Sequence, residues 1–200
     1  MNIERKKSVM EWGALDVNLF GVQKNWQGEA LENPVGFAFA IDPKYFWFIA
    51  TCQTPAMPHP EAKHGEFKSE LWKYDVAEFF LKNHNTGRYL EFNLAANASW
   101  WAAEFTGPRE GMGQAPLDGV ETYCDVAESG AWMAAARFDL QLMYDRFCLC
   151  PDTTMNAAFI LHSPDQQFAS AIDLPGEHPD FHQPDHFKQV HFFNSSDLPS

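Results

Sequence analysis

The sequence predicts an all-β protein, an antiparallel β-sandwich of immunoglobulin-like layering that takes in residues 1–200 as a single domain. Three observations carry this expectation. About nine or ten short segments of alternating or continuous apolar character recur between clusters of Gly, Pro, Asn and Asp, the punctuation of a strand-and-turn fold. Aromatic residues make up 15% of the chain, with 18 Phe and 7 Trp, against 20% charged residues, a balance that excludes disorder and suits packed sheets. No internal repeat, low-complexity tract or long linker divides the chain, and 200 residues bury enough surface for a core that needs no disulfide or metal.

Taken in order, residues 1–21 open with a basic cluster. They then place Glu11 and Asp16 where the apolar centre of an export signal would have to lie. The expected location is therefore the cytoplasm, a reducing compartment in which Cys52, Cys124, Cys148 and Cys150 are four free thiols. Residues 35–41 and 45–52 read as strands joined by a tight turn at Asp42 and Pro43. The second, YFWFIATC, is apolar on both sides and so central to its sheet. Residues 53–65, rich in Pro and His, form a loop.

The stretch 70–97, ELWKYDVAEFFLKNHNTGRYLEFNLAAN, reads as a β-hairpin. With a side-chain period of two, Asp75, Ala77, Phe79 and Leu81 share one face, while Tyr74, Val76, Glu78 and Phe80 share the other. The return strand sets Leu90, Phe92 and Leu94 opposite Tyr89, Glu91 and Asn93. Asn83, Asn85 and Gly87 tolerate left-handed backbone and supply the turn. Residues 99–105 give a further strand, in which one of Trp100 and Trp101 faces the core and the other faces outward.

Residues 107–119, holding Pro108, Gly111, Gly113 and Pro116, read as a loop. Residues 120–125 and 131–139 read as a strand pair turning near Ser129 and Gly130. Leu140, Met143, Tyr144 and Phe147 recur at helical spacing, which predicts a short helix over 139–147. Residues 155–162 and 168–172 complete the strands, before an irregular Pro- and His-rich tail that ends in the apolar stretch 190–193. Trp47 and Trp132, in strongly apolar strands, are assigned to packing. Cys148 and Cys150 could bind a soft metal as a Cys-x-Cys pair, but buried core thiols flanking Leu149 are the favoured reading.

The runs LWKYDVAEFFL, GRYLEFNL, AWMAAARFDLQLM, MNAAFILHS and PGEHPDFHQPDHF together resemble the family 9 carbohydrate-binding module-like branch of the DOMON-like superfamily, over about residues 35–187. The resemblance implies a sandwich of jelly-roll type that binds a carbohydrate or a similar polar small molecule without chemistry, or haem in other branches. It also implies a stacking Trp shortly before the acidic strand and an acid six residues later, a spacing that Trp72 and Glu78 satisfy. Asn156 falls where the resemblance implies a late-strand Asn, and Phe159 stands where the family uses Trp. Glu91 and Asn93 are secondary ligand-binding candidates on the next strand, and Arg88 and Arg137 are the available substitutes for the family's arginines. A pyranose offers a C–H face to an aromatic ring and hydroxyls to paired acceptors and donors, so Trp beside Glu and Asn is apt chemistry.

Other functions find less support. A net charge of −13 without a basic stripe disfavours nucleic acid and anionic membranes as partners, and no window approaches a membrane-spanning length of apolar residues. The Gly-x-Ser-x-Gly elbow, the phosphate-cradling Gly-rich loop and His-Glu-x-x-His are all missing, so a non-enzyme is expected, although Glu78 and Glu91 could share a proton as glycosidase acids do. His178, His182 and His186 recur every four residues beside Asp180 and Asp185, but Pro179 and Pro184 break any helix that would align them, so no metal site is assigned. Calcium, suggested by the resemblance, and haem, with Met and His as axial ligands, are the cofactor alternatives. A structural or protein-interaction module is the third functional class.

Overall fold

In the computed structural model, which describes residues 1–115, 117–162, 165–194 and 196, two seven-stranded sheets pack face to face. The first runs β14 (His191–Asn194), β1 (Asn2–Arg5), β3 (Ala30–Ile41), β4 (Tyr45–Cys52), β10 (Trp132–Asp139) and β9 (Glu121–Val126), with β2 (Phe20–Lys24) also paired to β3. The second runs β12 (Gln167–Ser170), β11 (Thr154–Leu161), β5 (Val76–Lys82), β6 (Tyr89–Ala95), β7 (Trp100–Gly107) and β8 (Glu110–Gln114), with β13 (Lys188–Gln189) also on β11. All pairs are antiparallel except β1 with β3 and β1 with β14.

The strands buried on both faces lie in the middle of their sheets. β4 has β3 and β10 as neighbours, and β5 has β11 and β6. Between the sheets, Phe39, Phe46, Phe48 and Phe138 of the first meet Phe79, Phe92 and Phe159 of the second. Phe79 sits at the centre, 5.2 Å from the ring of Phe48 and 5.3 Å from that of Phe92. Each such ring, fully buried, contributes on the order of 2–3 kcal/mol of transfer free energy. The predicted helix forms as α1 (Leu140–Phe147), started by the Asp139 carboxylate accepting from the Leu142 N–H and stopped by left-handed backbone at Cys148.

Three expectations change, and the segment before residue 35 adds strands that none foresaw. The 107–119 loop is in part strand, because β7 runs on to Gly107 and β8 pairs back on it; β8 is exposed throughout, so EGMGQ shows no apolar alternation. Pro116 lies outside the described residues. The segment before residue 35 supplies β1, β2 and the first part of β3, short or polar strands that periodicity does not reveal. The tail's apolar end is a strand, β14, laid parallel on β1 with Ile3 opposite Phe192. Cys148 and Cys150 are only partly buried, while Leu149 between them fills the core.

Candidate functional site

Registers across the second sheet define its outer face row by row. Ala158, Glu78, Asn93 and Trp101 stand side by side on β11, β5, β6 and β7, and the next row is Asn156, Phe80, Glu91 and Ala103. Each row holds two polar residues beside two apolar ones, with a small Ala at one end. A depression lies over the two acids, both of which line it.

The chain after β12 turns this depression into a hollow. It folds back across the sheet, setting Phe181 against Phe80 and Trp26 at 6.4 and 5.8 Å, and Phe187 against Phe80 at 5.7 Å. Ion pairs of Arg109 with Asp180 (2.9 Å) and Lys82 with Asp185 (2.8 Å) tie it down, and the Gln183 side chain donates to the Pro175 and Asp180 carbonyls. The resulting space of about 690 Å³ is walled by the rings of Trp72, Trp101, Phe105, Phe168 and Phe181. Glu78, Glu91, Arg109 and His182 supply its polar surface, with Lys73 and Gln166 at the margin. Trp72 sits in a 3-10 turn, Leu71–Lys73, just before β5, and its ring meets that of Trp101 edge-on at 4.8 Å.

Both acids are almost wholly buried, yet line the hollow. Glu78 is 2% exposed and accepts no hydrogen bond from any described residue. Desolvation, and then repulsion from Glu91, push its carboxyl well above the usual carboxylate range. Glu91 accepts from the Asn93 side-chain amide at 2.7 Å, and burial still raises it to about 7. His182, whose Nδ1 shares a 2.8 Å hydrogen bond with the Tyr89 hydroxyl, is lowered to about 4 by desolvation and then by Arg109. His182 Nε2 lies 3.5 Å from Glu91 Oε2, and burial disfavours the charged form of both groups. Burial also raises the Tyr89 hydroxyl, to about 12.

Three further polar atoms on this face are buried without a partner among the described residues: Asn93 Oδ1, Asn156 Nδ2 and Trp101 Nε1. Asn156 keeps its other end engaged, Oδ1 accepting from the Ser170 hydroxyl at 3.2 Å. A fourth such atom, Trp132 Nε1, lies elsewhere, in the core between the sheets.

The structure thus brings Trp72, Glu78 and Glu91 onto one hollow, with Asn93 and Asn156 fully buried in the rows that form its floor. Phe159 does not join them. It is fully buried between the sheets, on the opposite face of β11 from Asn156. Arg88 and Arg137 also lie away from the hollow; Arg137 sits on the first sheet's outer face, over Tyr45 and Trp12. The arginine that does line it, Arg109, occupies left-handed backbone at the β7–β8 turn, where no motif pointed. Trp101 takes the outward role left open for the tryptophan pair, and Trp100 the core. Of the tail histidines only His182 reaches the hollow.

No protein-family model matches the chain, and no curated protein matches it in sequence. Solved structures do. A candidate carbohydrate-binding protein from Bacteroides uniformis ATCC 8492 superposes with a TM-score of 0.72 at 14% identity, over 96% of this chain and 99% of that one. A family 9 carbohydrate-binding module from Caldicellulosiruptor kristjanssonii in complex with glucose superposes at 0.62 with 13% identity, over 100% of this chain and 98% of that one. The complex of such a module with cellotriose gives 0.62 at 14% identity, over 100% and 99%. The chain therefore has the β-sandwich fold of family 9 carbohydrate-binding modules.

Proposed function

We propose that this protein binds a carbohydrate in the hollow on its second sheet and does not transform it. The observation that carries this reading is the Glu78 carboxyl, almost completely buried, opening onto an aromatic-walled space and receiving no hydrogen bond from any described residue. Leaving such a group unmet costs roughly 1–3 kcal/mol, and sugar hydroxyls entering the hollow would meet it. The Trp72 and Trp101 rings would take the apolar face of a pyranose. Neighbours of the same fold hold glucose and cellotriose, which supports the ligand class. The two acids occupy one floor rather than opposite walls of a cleft, an arrangement unlike the flanking pair of a glycosidase, which supports binding without hydrolysis. Membership of the wider DOMON-like superfamily belongs to the same proposal.

A glycan array followed by calorimetry on the best ligand tests this reading. Glu78→Ala, which removes both carboxyl oxygens, should weaken binding about tenfold or more. An array without hits, or full affinity in that variant, would falsify the sugar reading. A Soret band on adding hemin to the purified protein would favour the haem alternative.

A further inference from the structure

The tip of the β5–β6 hairpin and the loop between α1 and β11 meet, and their contact includes metal-binding groups. The His84 ring, the Cys150 thiol and the Asp152 carboxylate hold their ligand atoms within 4.8 Å of one another, the only such trio among the described residues. His84 Nδ1 stands 3.6 Å from Cys150 Sγ. Tetrahedral zinc, with bonds of about 2.05 Å to nitrogen and 2.3 Å to sulfur, separates two such ligands by about 3.6 Å. We propose that His84, Cys150 and Asp152 form a site for a zinc-like divalent transition metal, with a fourth position open to solvent.

Both loops are fixed by contacts that need no metal. The Asn83 side chain accepts from the Asn85 and Thr86 N–H groups and donates to the Arg146 carbonyl, so the hairpin tip is shaped and docked at the end of α1. The Asn85 side chain donates to Cys148 Sγ at 3.1 Å. On the other side, the buried Thr153 hydroxyl accepts from the Cys150 N–H at 3.0 Å and donates to the Cys148 carbonyl at 2.8 Å, holding the thiol-bearing loop closed. Asp152 is touched by Gln189 Nε2 at 3.5 Å, which steadies the carboxylate without occupying both oxygens. The donor set of imidazole, thiolate and carboxylate suits zinc and excludes calcium or magnesium, which take oxygen alone. Binding would replace the Cys150 S–H bond with an S–metal bond and release that proton to water, so uptake weakens as pH falls.

A second pair, His64 Nδ1 and Cys124 Sγ, has the same 3.6 Å separation but belongs to no such trio among the described residues, and serves as an internal control. The full chain, free of any affinity tag and kept reduced without a chelating thiol, is titrated with zinc by calorimetry and with cobalt(II) by absorbance. One metal per chain is expected, with a thiolate-to-cobalt charge-transfer band. Cys150→Ser and His84→Gln should each lower zinc affinity at least tenfold and the former should remove the band, while Cys124→Ser should change neither. Should Cys150→Ser fail to fold, His84→Gln and Asp152→Asn, both at exposed positions, carry the same test. Zinc affinity unmoved by His84→Gln, or a cobalt spectrum without thiolate character, overturns the site.

Discussion

On the outer face of the first sheet, the buried Trp47 indole donates to Asp42 at 2.7 Å, and Arg137 forks onto Glu121 at 2.8 and 3.2 Å while lying over Tyr45 and Trp12. On the outer face of the second, the Trp101 indole N–H has no partner among the described residues, and Glu78 receives no hydrogen bond. Both faces combine tryptophans, acids and an arginine, and both pack their rings edge-on at 4.8 Å, Trp12 on Trp47 and Trp72 on Trp101. Composition therefore does not separate a packing cluster from a binding surface. The difference lies in whether the polar groups are satisfied from within, because a native fold rarely leaves several unmet in one place.

The sharpest way to break this contrast is to remove the same ring type from each face. Trp47→Ala deletes a fully buried indole and its hydrogen bond to Asp42, so it should cost about 3–5 kcal/mol in urea-unfolding free energy. If it costs no more than a surface change, the first face is not the packed cluster described.

An intermediate effect is expected from pH. Glu91 is raised from 4.5 to about 7 by burial, and Glu78 moves the same way, so the folded state holds protons that the unfolded chain releases. Their contribution is present below pH 4.5 and is lost as pH rises toward 7, on the order of 3 kcal/mol for Glu91. His182, lowered from 6.5 to about 4, acts oppositely, its contribution being lost as pH falls through that window. Comparing the native chain with the Glu78→Gln, Glu91→Gln double variant isolates the acids. The variant should gain relative stability as pH rises from 5 to 8 on the order of that loss, and a difference flat in pH would mean that the carboxyls are solvated.

The smallest effect belongs to the rim. Trp72, 36% exposed, should tolerate Trp72→Ala with roughly 0.5 kcal/mol or less of stability lost, while sugar affinity falls severalfold, by about 1 kcal/mol or more. Unfolding of this variant would return Trp72 to the class of Trp47.

Much of this was written in the sequence where alternation was strong. YFWFIATC marks the middle of the first sheet because only a strand covered on both faces is apolar at every position, and the 70–97 hairpin forms as its turn residues require. The side of the sheet on which Glu78 and Glu91 share a face followed from parity alone, and the same parity held an unused warning. Residues three apart on a strand point in opposite directions, so Asn156 and Phe159 could not line one hollow. The walls were hidden for a different reason. Residues 171–187 have no regular backbone and hence no period, and Arg109 gains its place from a turn whose strand partner, β8, is exposed at every residue. That Glu78 would be buried rather than solvated depended on those unreadable segments.

The parallel seam between β1 and β14 joins residues almost two hundred positions apart, Ile3 beside Phe192. β1 is synthesised long before its outer neighbour, so the first sheet stays open along that margin until translation has passed residue 194. Completion of the sandwich is thereby a late event, and a chain cut short before β14 would leave an open strand edge available to other chains.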